Sequence, residues 1–366
     1  MSKNNQELFN ERISLIARAV ALQPVERVPV VINDDMYAVT YTGVPMHEYA
    51  TDIKVSNKAM IDTCVGLGSD GIQNAFMLPE MLSLQWMNKV SLPGRELPKN
   101  APWQIHEVEL MTVDDYDVIL QKGWNSFYQD YIQNRFDNLM ARLGPQFGSI
   151  PTAYQNVVAA GIVPISGGVL ASAFEMICGA RSMNKFMIDM FRIPDKIQAV
   201  LDEATPVFIA GAKAQLAGKP FGIWVGGWRG ASAFMNHKLW TRFVWPYMRQ
   251  LAELAIEAGV TPIFHIDGNW ERELEAFKDL PKGKCIIFPD GQTNIYKIKE
   301  VLGDHMCING DVPAGLLSVG TPEEVYNYSS KLIQEIGPTG FILGPGCTIP
   351  MGTKVENAKA MVAAAH

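Results

Sequence analysis

The chain has 366 residues, 48% hydrophobic and 19% charged, so it buries a large core and does not read as disordered. Its formal charge of -7 is spread along the sequence with no Lys/Arg block to neutralise a run of phosphates, which argues against a nucleic-acid partner. No segment supplies the roughly 20 apolar residues of a membrane span and residues 1–9 lack a signal-peptide core, so a cytoplasmic protein with no membrane association is expected.

The stretch 7–21 has apolar residues at helical spacing and predicts an amphipathic helix, either a lid over the bottom of the fold or a contact in a homodimer. After it, short apolar runs, each ended by a polar residue or glycine, recur between longer helical patterns. They are 28–32 before Asn33, 71–73 before Asn74, 162–165 before Ser166, 221–225 before Gly226, 261–264 before His265, 285–288 before Asp290, 305–308 before Asn309 and 340–343 before Gly344. Between them lie expected helices at 183–190, 195–216, 238–258, 271–280, 295–302, 322–336 and 356–365. Eight strands alternating with helices imply parallel pairing through right-handed crossovers, and therefore an α/β fold of the (β/α)8 TIM-barrel type with an N-terminal helical extension. A doubly wound open sheet is the alternative, but no GxGxxG follows the first strand. The stretch 76–161, with scattered helix, many aromatics and several prolines, reads as an insertion after strand 2 that covers the site. No polar, Pro-rich or Ser-rich linker divides the sequence, so residues 1–366 are expected to form one domain.

Barrels place their chemistry at the carboxyl ends of strands. Here those ends carry His265-Ile266-Asp267, Asp290, Cys307-Ile308-Asn309-Gly310-Asp311 and Gly344-Pro345-Gly346-Cys347. Imidazole, thiols and carboxylates on four neighbouring strands form a donor set of the kind zinc prefers. Cys64, Cys178 and Cys285 read as core residues, and an odd total of five cysteines gives no disulfide framework. Asn33, Asp35, Asn74 and Asp290 at other strand ends are candidates for orienting substrate or ligands, with Asp35 and Asp290 the candidate catalytic carboxylates beside His265. Tyr37, Met77, Met81, Trp86, Trp228, Phe234 and Met235 follow strand ends or lie in the insertion and are candidates for an aromatic slot.

From about Pro29 to the end, and most plainly from Lys238, the chain resembles the uroporphyrinogen decarboxylase superfamily, and within it the corrinoid-dependent methyltransferases. The resemblance is carried by Trp245-Pro246-Tyr247, Phe264-His265-Ile266-Asp267-Gly268-Asn269, Asn309-Gly310-Asp311-Val312-Pro313, Gly320-Thr321-Pro322-Glu323-Glu324-Val325, and Gly344-Pro345-Gly346-Cys347 with Glu356-Asn357. It implies a zinc held by a His-x-Cys pair and a cysteine in the final turn, positions that become His265, Asp267 and Cys347. Asp267 departs from the cysteine of the coenzyme M methyltransferases. The chain also resembles the methyltransferase I component of bacterial O-demethylases, whose Asp, Cys, Cys zinc motif corresponds in spacing to Asp279, Cys307 and Cys347. Asp279 falls late in a helix that runs away from the catalytic face, so the expected metal ligands are His265, Cys307 and Cys347, with Asp267, Asp279 or water as the fourth.

The activity the resemblance implies is transfer of a methyl group from an aryl methyl ether to the cob(I)alamin of a separate corrinoid protein, because no Asp-x-His-x-x-Gly corrinoid motif occurs in this chain. A methylamine, methanol or thiol partner in the same chemistry is the alternative, as is a structural zinc site. Decarboxylation is disfavoured, since the first strand ends in acidic Asn33-Asp34-Asp35 where the decarboxylases carry arginines for a polycarboxylate substrate.

Overall fold

The structure, a computed structural model, describes residues 4–366. The barrel strands are Val31–Ile32, Gly71–Ile72, a third in two pieces (Val163–Pro164 and Val169–Leu170), Gly222–Gly227, Thr261–Ile266, Ile286–Pro289, Cys307–Asn309 and Phe341–Ile342, numbered first to eighth below. Every pairing among them is parallel. The ring is joined between the first and eighth strands by Val31 N–H to Leu343 O (3.0 Å) and Leu343 N–H to Pro29 O (2.9 Å), and between third and fourth by Gly167 N–H to Gly222 O (2.9 Å). The bend that splits the third strand needs glycine at Gly167, where a Cβ would lie 2.3 Å from the Pro220 side chain.

Because side chains alternate along a strand, one set fills the interior and the other meets the outer helices. The interior set includes Val31, Val163, Ile263, Ile286, Cys307 and Ile342. Its floor is closed by Ile16, Ala19 and Val20 from the N-terminal helix Asn5–Val20, which starts on an Asn4–Glu7 capping box. Arg12 anchors that helix by donating to Gly161 O (2.7 Å) and pairing with Asp70 (3.4 Å), which also takes a two-pronged bond from Arg27. Of the two roles expected for this helix, the structure shows the lid over the barrel bottom.

Three local expectations change. The helix expected over 238–258 is two, His237–Phe243 and Trp245–Glu257, because Pro246 has no N–H to continue the ladder. The stretch after the fifth strand is a 3-10 helix, Glu271–Asp279. The segment expected to hold scattered helix contains five helices, Leu82–Trp86, Asp114–Lys122, Trp124–Arg135, Leu139–Phe147 and Ile150–Ala159, and a hairpin of Lys89–Ser91 with Gln104–His106. Trp124, Phe127 and Tyr131 recur at helical spacing and are buried, so the aromatics form a helix face rather than a loop. The last of these helices packs on the third strand and belongs to the barrel layer.

Candidate active site

His265 sits near the end of the fifth strand, 3% exposed, its ring between those of Trp224 (4.8 Å between centroids) and Phe288 (4.4 Å). The contact of Nδ1 with Phe288 O (3.1 Å) fixes the tautomer with its proton on Nδ1. Nε2 is left with its lone pair 3.4 Å from Asp267 Oδ1, and burial holds the imidazole neutral by lowering its pKa to about 4. Cys347, in the loop after the eighth strand, has a left-handed backbone (φ 73°), unusual for a residue with a Cβ. The loop is tied to the first strand: Asn33 Nδ2 donates to Cys347 O (2.9 Å), Ile349 N–H to Asn33 O (3.0 Å), and Asp35 N–H to Thr348 Oγ1 (3.2 Å).

Ligand atoms of His265, Asp267 and Cys347 all lie within 4.8 Å of one another. The chemistry of this set fits a divalent cation. Burial and the neighbouring carboxylates of Asp35, Asp267 and Asp290 push the Cys347 thiol far above its ordinary range. Burial and Asp290 raise Asp267 to about 7, and burial and Asp267 raise Asp35 to about 6. Each of these groups is costly to ionise alone and cheap beside a metal, and a neutral imidazole with a free lone pair completes a set of three donors that would hold such an ion.

The cluster opens into a cavity of about 960 Å³. Of the residues expected at the site, Asn33, Asp35, Asn74, Met77, Met81, Trp86 and Trp228 line it. Trp86 and Trp228 meet edge to face at 5.2 Å, and Gly226 makes room, since a Cβ there would lie 2.2 Å from the Trp228 ring.

Other expected site residues are elsewhere. Cys307 does not join the donor cluster. Its register partner is Ile286, which pairs with Ile263, so it sits one interior layer below His265, fully buried with its thiol pushed far up by burial. Asn309, the next interior position, is spent on Gln73 and Ile342 O. Tyr37 is fully buried beside Tyr41 and does not line the cavity, because the helix Tyr37–Thr42 turns that ring into the core. Asp290 is also outside the lining. Its carboxylate accepts from Gly268 N–H (2.9 Å) and Gln292 N–H (2.8 Å), holding two loops together. Asp279 bonds Trp245 Nε1 and pairs with Arg249 at the surface. Phe234 is half exposed and Met235 is core.

Sequence reasoning missed Glu175. Buried in the helix Ala173–Arg181, it accepts the backbone N–H groups of Trp228, Arg229 and Gly230 and so sets the loop that carries Trp228. It also missed the chain Trp224 Nε1 to Gln73 Oε1 (2.9 Å) and Gln73 Nε2 to Asn309 Oδ1 (2.7 Å), which crosses the interior beneath His265. A polar residue ending the second apolar run was the only signal of the latter.

A parallel barrel whose catalytic face carries a three-donor cluster and an aromatic cavity defines the class. Residues 134–366 match the uroporphyrinogen decarboxylase (URO-D) family, and the chain belongs to it. It is 29% identical over 172 residues to a methylated-thiol–coenzyme M methyltransferase of Methanosarcina mazei, covering 47% of this chain and 44% of that one. It is 24% identical over 212 residues to a uroporphyrinogen decarboxylase of Anaeromyxobacter dehalogenans, covering 55% and 57%. The chain thus spans about half the length of the relatives it matches. A solved methyltransferase from Methanosarcina mazei shares its fold, with TM-score 0.73 and 19% identity over 96% of this chain and 97% of that one. No described helix is long and apolar enough to cross a membrane.

Proposed function

We propose that this chain is a zinc-dependent methyltransferase that takes a methyl group from an aryl methyl ether and passes it to the cobalt(I) of a corrinoid carried by a separate protein. The observation that supports it is the His265, Asp267 and Cys347 cluster facing an aromatic cavity. His265, Asp267 and Cys347 would hold the ion, which when bound would supply Lewis acidity toward the ether oxygen. Phe288 O keeps Nε2 of His265 turned to Asp267, Asn33 fixes the Cys347 loop, and Trp86 and Trp228 in the cavity wall would flank the ring. The methyl carbon gives up its bond to oxygen, both electrons staying on the departing phenolate, and gains a bond whose pair comes from cobalt(I). The apolar walls exclude water from the exchange.

The sequence similarity to a methylated-thiol methyltransferase favours a methylated thiol as the second reading. The test is methyl transfer to free cob(I)alamin by zinc-loaded protein, followed by the change in corrinoid absorbance, with 2-methoxyphenol and dimethyl sulfide as parallel donors. Activity with the ether, abolished together with zinc content in His265→Ala and Cys347→Ala, is expected. Transfer from dimethyl sulfide alone overturns the ether assignment, and unchanged zinc and activity in both variants overturns the site.

A further inference from the structure

A closed ladder of strands keeps the space inside a barrel apart from the layer outside it. Here the ladder is interrupted. The first piece of the third strand pairs with the second strand, and its second piece pairs with the fourth. Among the described residues, the last bond joining the second and third strands is Ser166 N–H to Gln73 O (3.1 Å). Gly167, Gly168 and Val169, just beyond it, are half-buried, whereas the whole fourth strand beside them is buried.

The cavity that holds the donor cluster passes through this break. Successive side chains of a strand point to opposite faces. Val169 accordingly packs with the interior set, and Leu170 with a separate cluster outside the wall that also contains Ala212 and Leu251. All four line the cavity, as do His265, Asp267 and Cys347 at its inner end. On the outer side it reaches Gly211 and Gln215 of the helix Pro194–Leu216, both exposed. One space therefore joins the cluster to the outer surface of the barrel.

Two glycines describe its outer end. A Cβ on Gly168 would lie 2.8 Å from Gln215 Oε1, so that amide rests over the break, and a Cβ on Gly211 would meet nothing within 4 Å. Among the described residues, no ionisable side chain lines the stretch from Gly167 to Gln215. An ion would lose its hydration there without a partner, whereas a small neutral molecule would not.

Resting on the methyl-transfer reading above, we propose that small neutral ligands enter and leave the cluster through this side passage, leaving the barrel mouth to the corrinoid of the partner protein. In a direct displacement the nucleophile attacks opposite the departing group, so the two reactants reach the methyl carbon from different directions. A macrocycle on its carrier protein is too large for an opening that one glutamine amide covers.

The test plugs the passage at a distance from the cluster. Gly211→Phe places a ring in the open space, and Gly211→Ala is its reference, since both remove the helix cost of glycine. Exchange of 2-methoxyphenol with zinc-loaded protein is followed by stopped-flow tryptophan fluorescence, and entry of the neutral quencher acrylamide by loss of the same signal. Relative to Gly211→Ala, Gly211→Phe is expected to slow association and dissociation about 10-fold each and to keep Kd within about 2-fold, because a plugged route changes rates and not the site. Gln215→Ala is expected to speed both about 3-fold. Unchanged rates and quenching in Gly211→Phe overturn the proposal. So does a rise in Kd with association unchanged, which would make the arm a binding subsite. If 2-methoxyphenol fails to bind, the ether reading falls, and acrylamide still decides the passage: weaker quenching in Gly211→Phe upholds it and equal quenching overturns it.

Discussion

Cys347 and Cys307 are both strand-end cysteines in the sequence, and the barrel gives them opposite environments. Cys347 lies at the mouth on a strained left-handed backbone, whereas Cys307 packs with Ile286 and Trp224 in the interior. Cys307→Ala is therefore expected to bind as much zinc as the parent chain when both are loaded with it, measured by metal analysis, and to lose about 1–2 kcal/mol of stability in urea denaturation. Asp34, next to the site, gives a pH prediction. It is fully buried, Oδ1 accepts from Ala38 N–H and Oδ2 has no partner, and burial raises its pKa from 3.8 to about 7. The folded chain thus holds a proton that the unfolded chain releases above pH 4, so the contribution is present at low pH and lost as pH rises through about 7. Between pH 5 and pH 8, the parent chain should lose on the order of 2 kcal/mol more than Asp34→Asn in urea titrations.

At the scale of elements, the site depends on loops tied to one another. Glu175 collects three backbone N–H groups from the turn after the fourth strand, so its own helix dictates where Trp228 stands. Glu175→Ala leaves those donors buried and unpaired and is expected to cost about 2–3 kcal/mol. As a positioning residue it should, on the proposed reading, raise KM for the methyl donor more than it lowers kcat, and Trp228 fluorescence should become more quenchable by acrylamide. The strand ends themselves were legible, because an apolar run closing on His265 or Gly344 marks both the strand and its mouth. Glu175 was not, since a glutamate in the first turn of a capped helix reads as a favourable surface charge.

At the scale of the whole molecule, the N-terminal helix closes the barrel at the end opposite the cluster of His265, Asp267 and Cys347. Ile16, fully buried, sits against the lower layer of strand residues. Ile16→Asp should lower stability by about 3 kcal/mol or more through an unpaired buried charge, seen as a large drop in Tm by circular dichroism, with zinc content per folded molecule unchanged.

The sequence by itself determined the alternation of strands and helices, the barrel that follows, and the set of polar residues at its catalytic face, because period and strand polarity are local properties of the chain. Only the tertiary structure decided which of those residues meet. Register places Cys307 one layer too deep, the turn after the first strand buries Tyr37, and two loop amides occupy Asp290. Asp267, two residues beyond the imidazole, then stands as the third donor with Cys347, from the far end of the chain. Those outcomes depend on how eight strands are staggered around a ring, a geometry that no stretch of sequence contains.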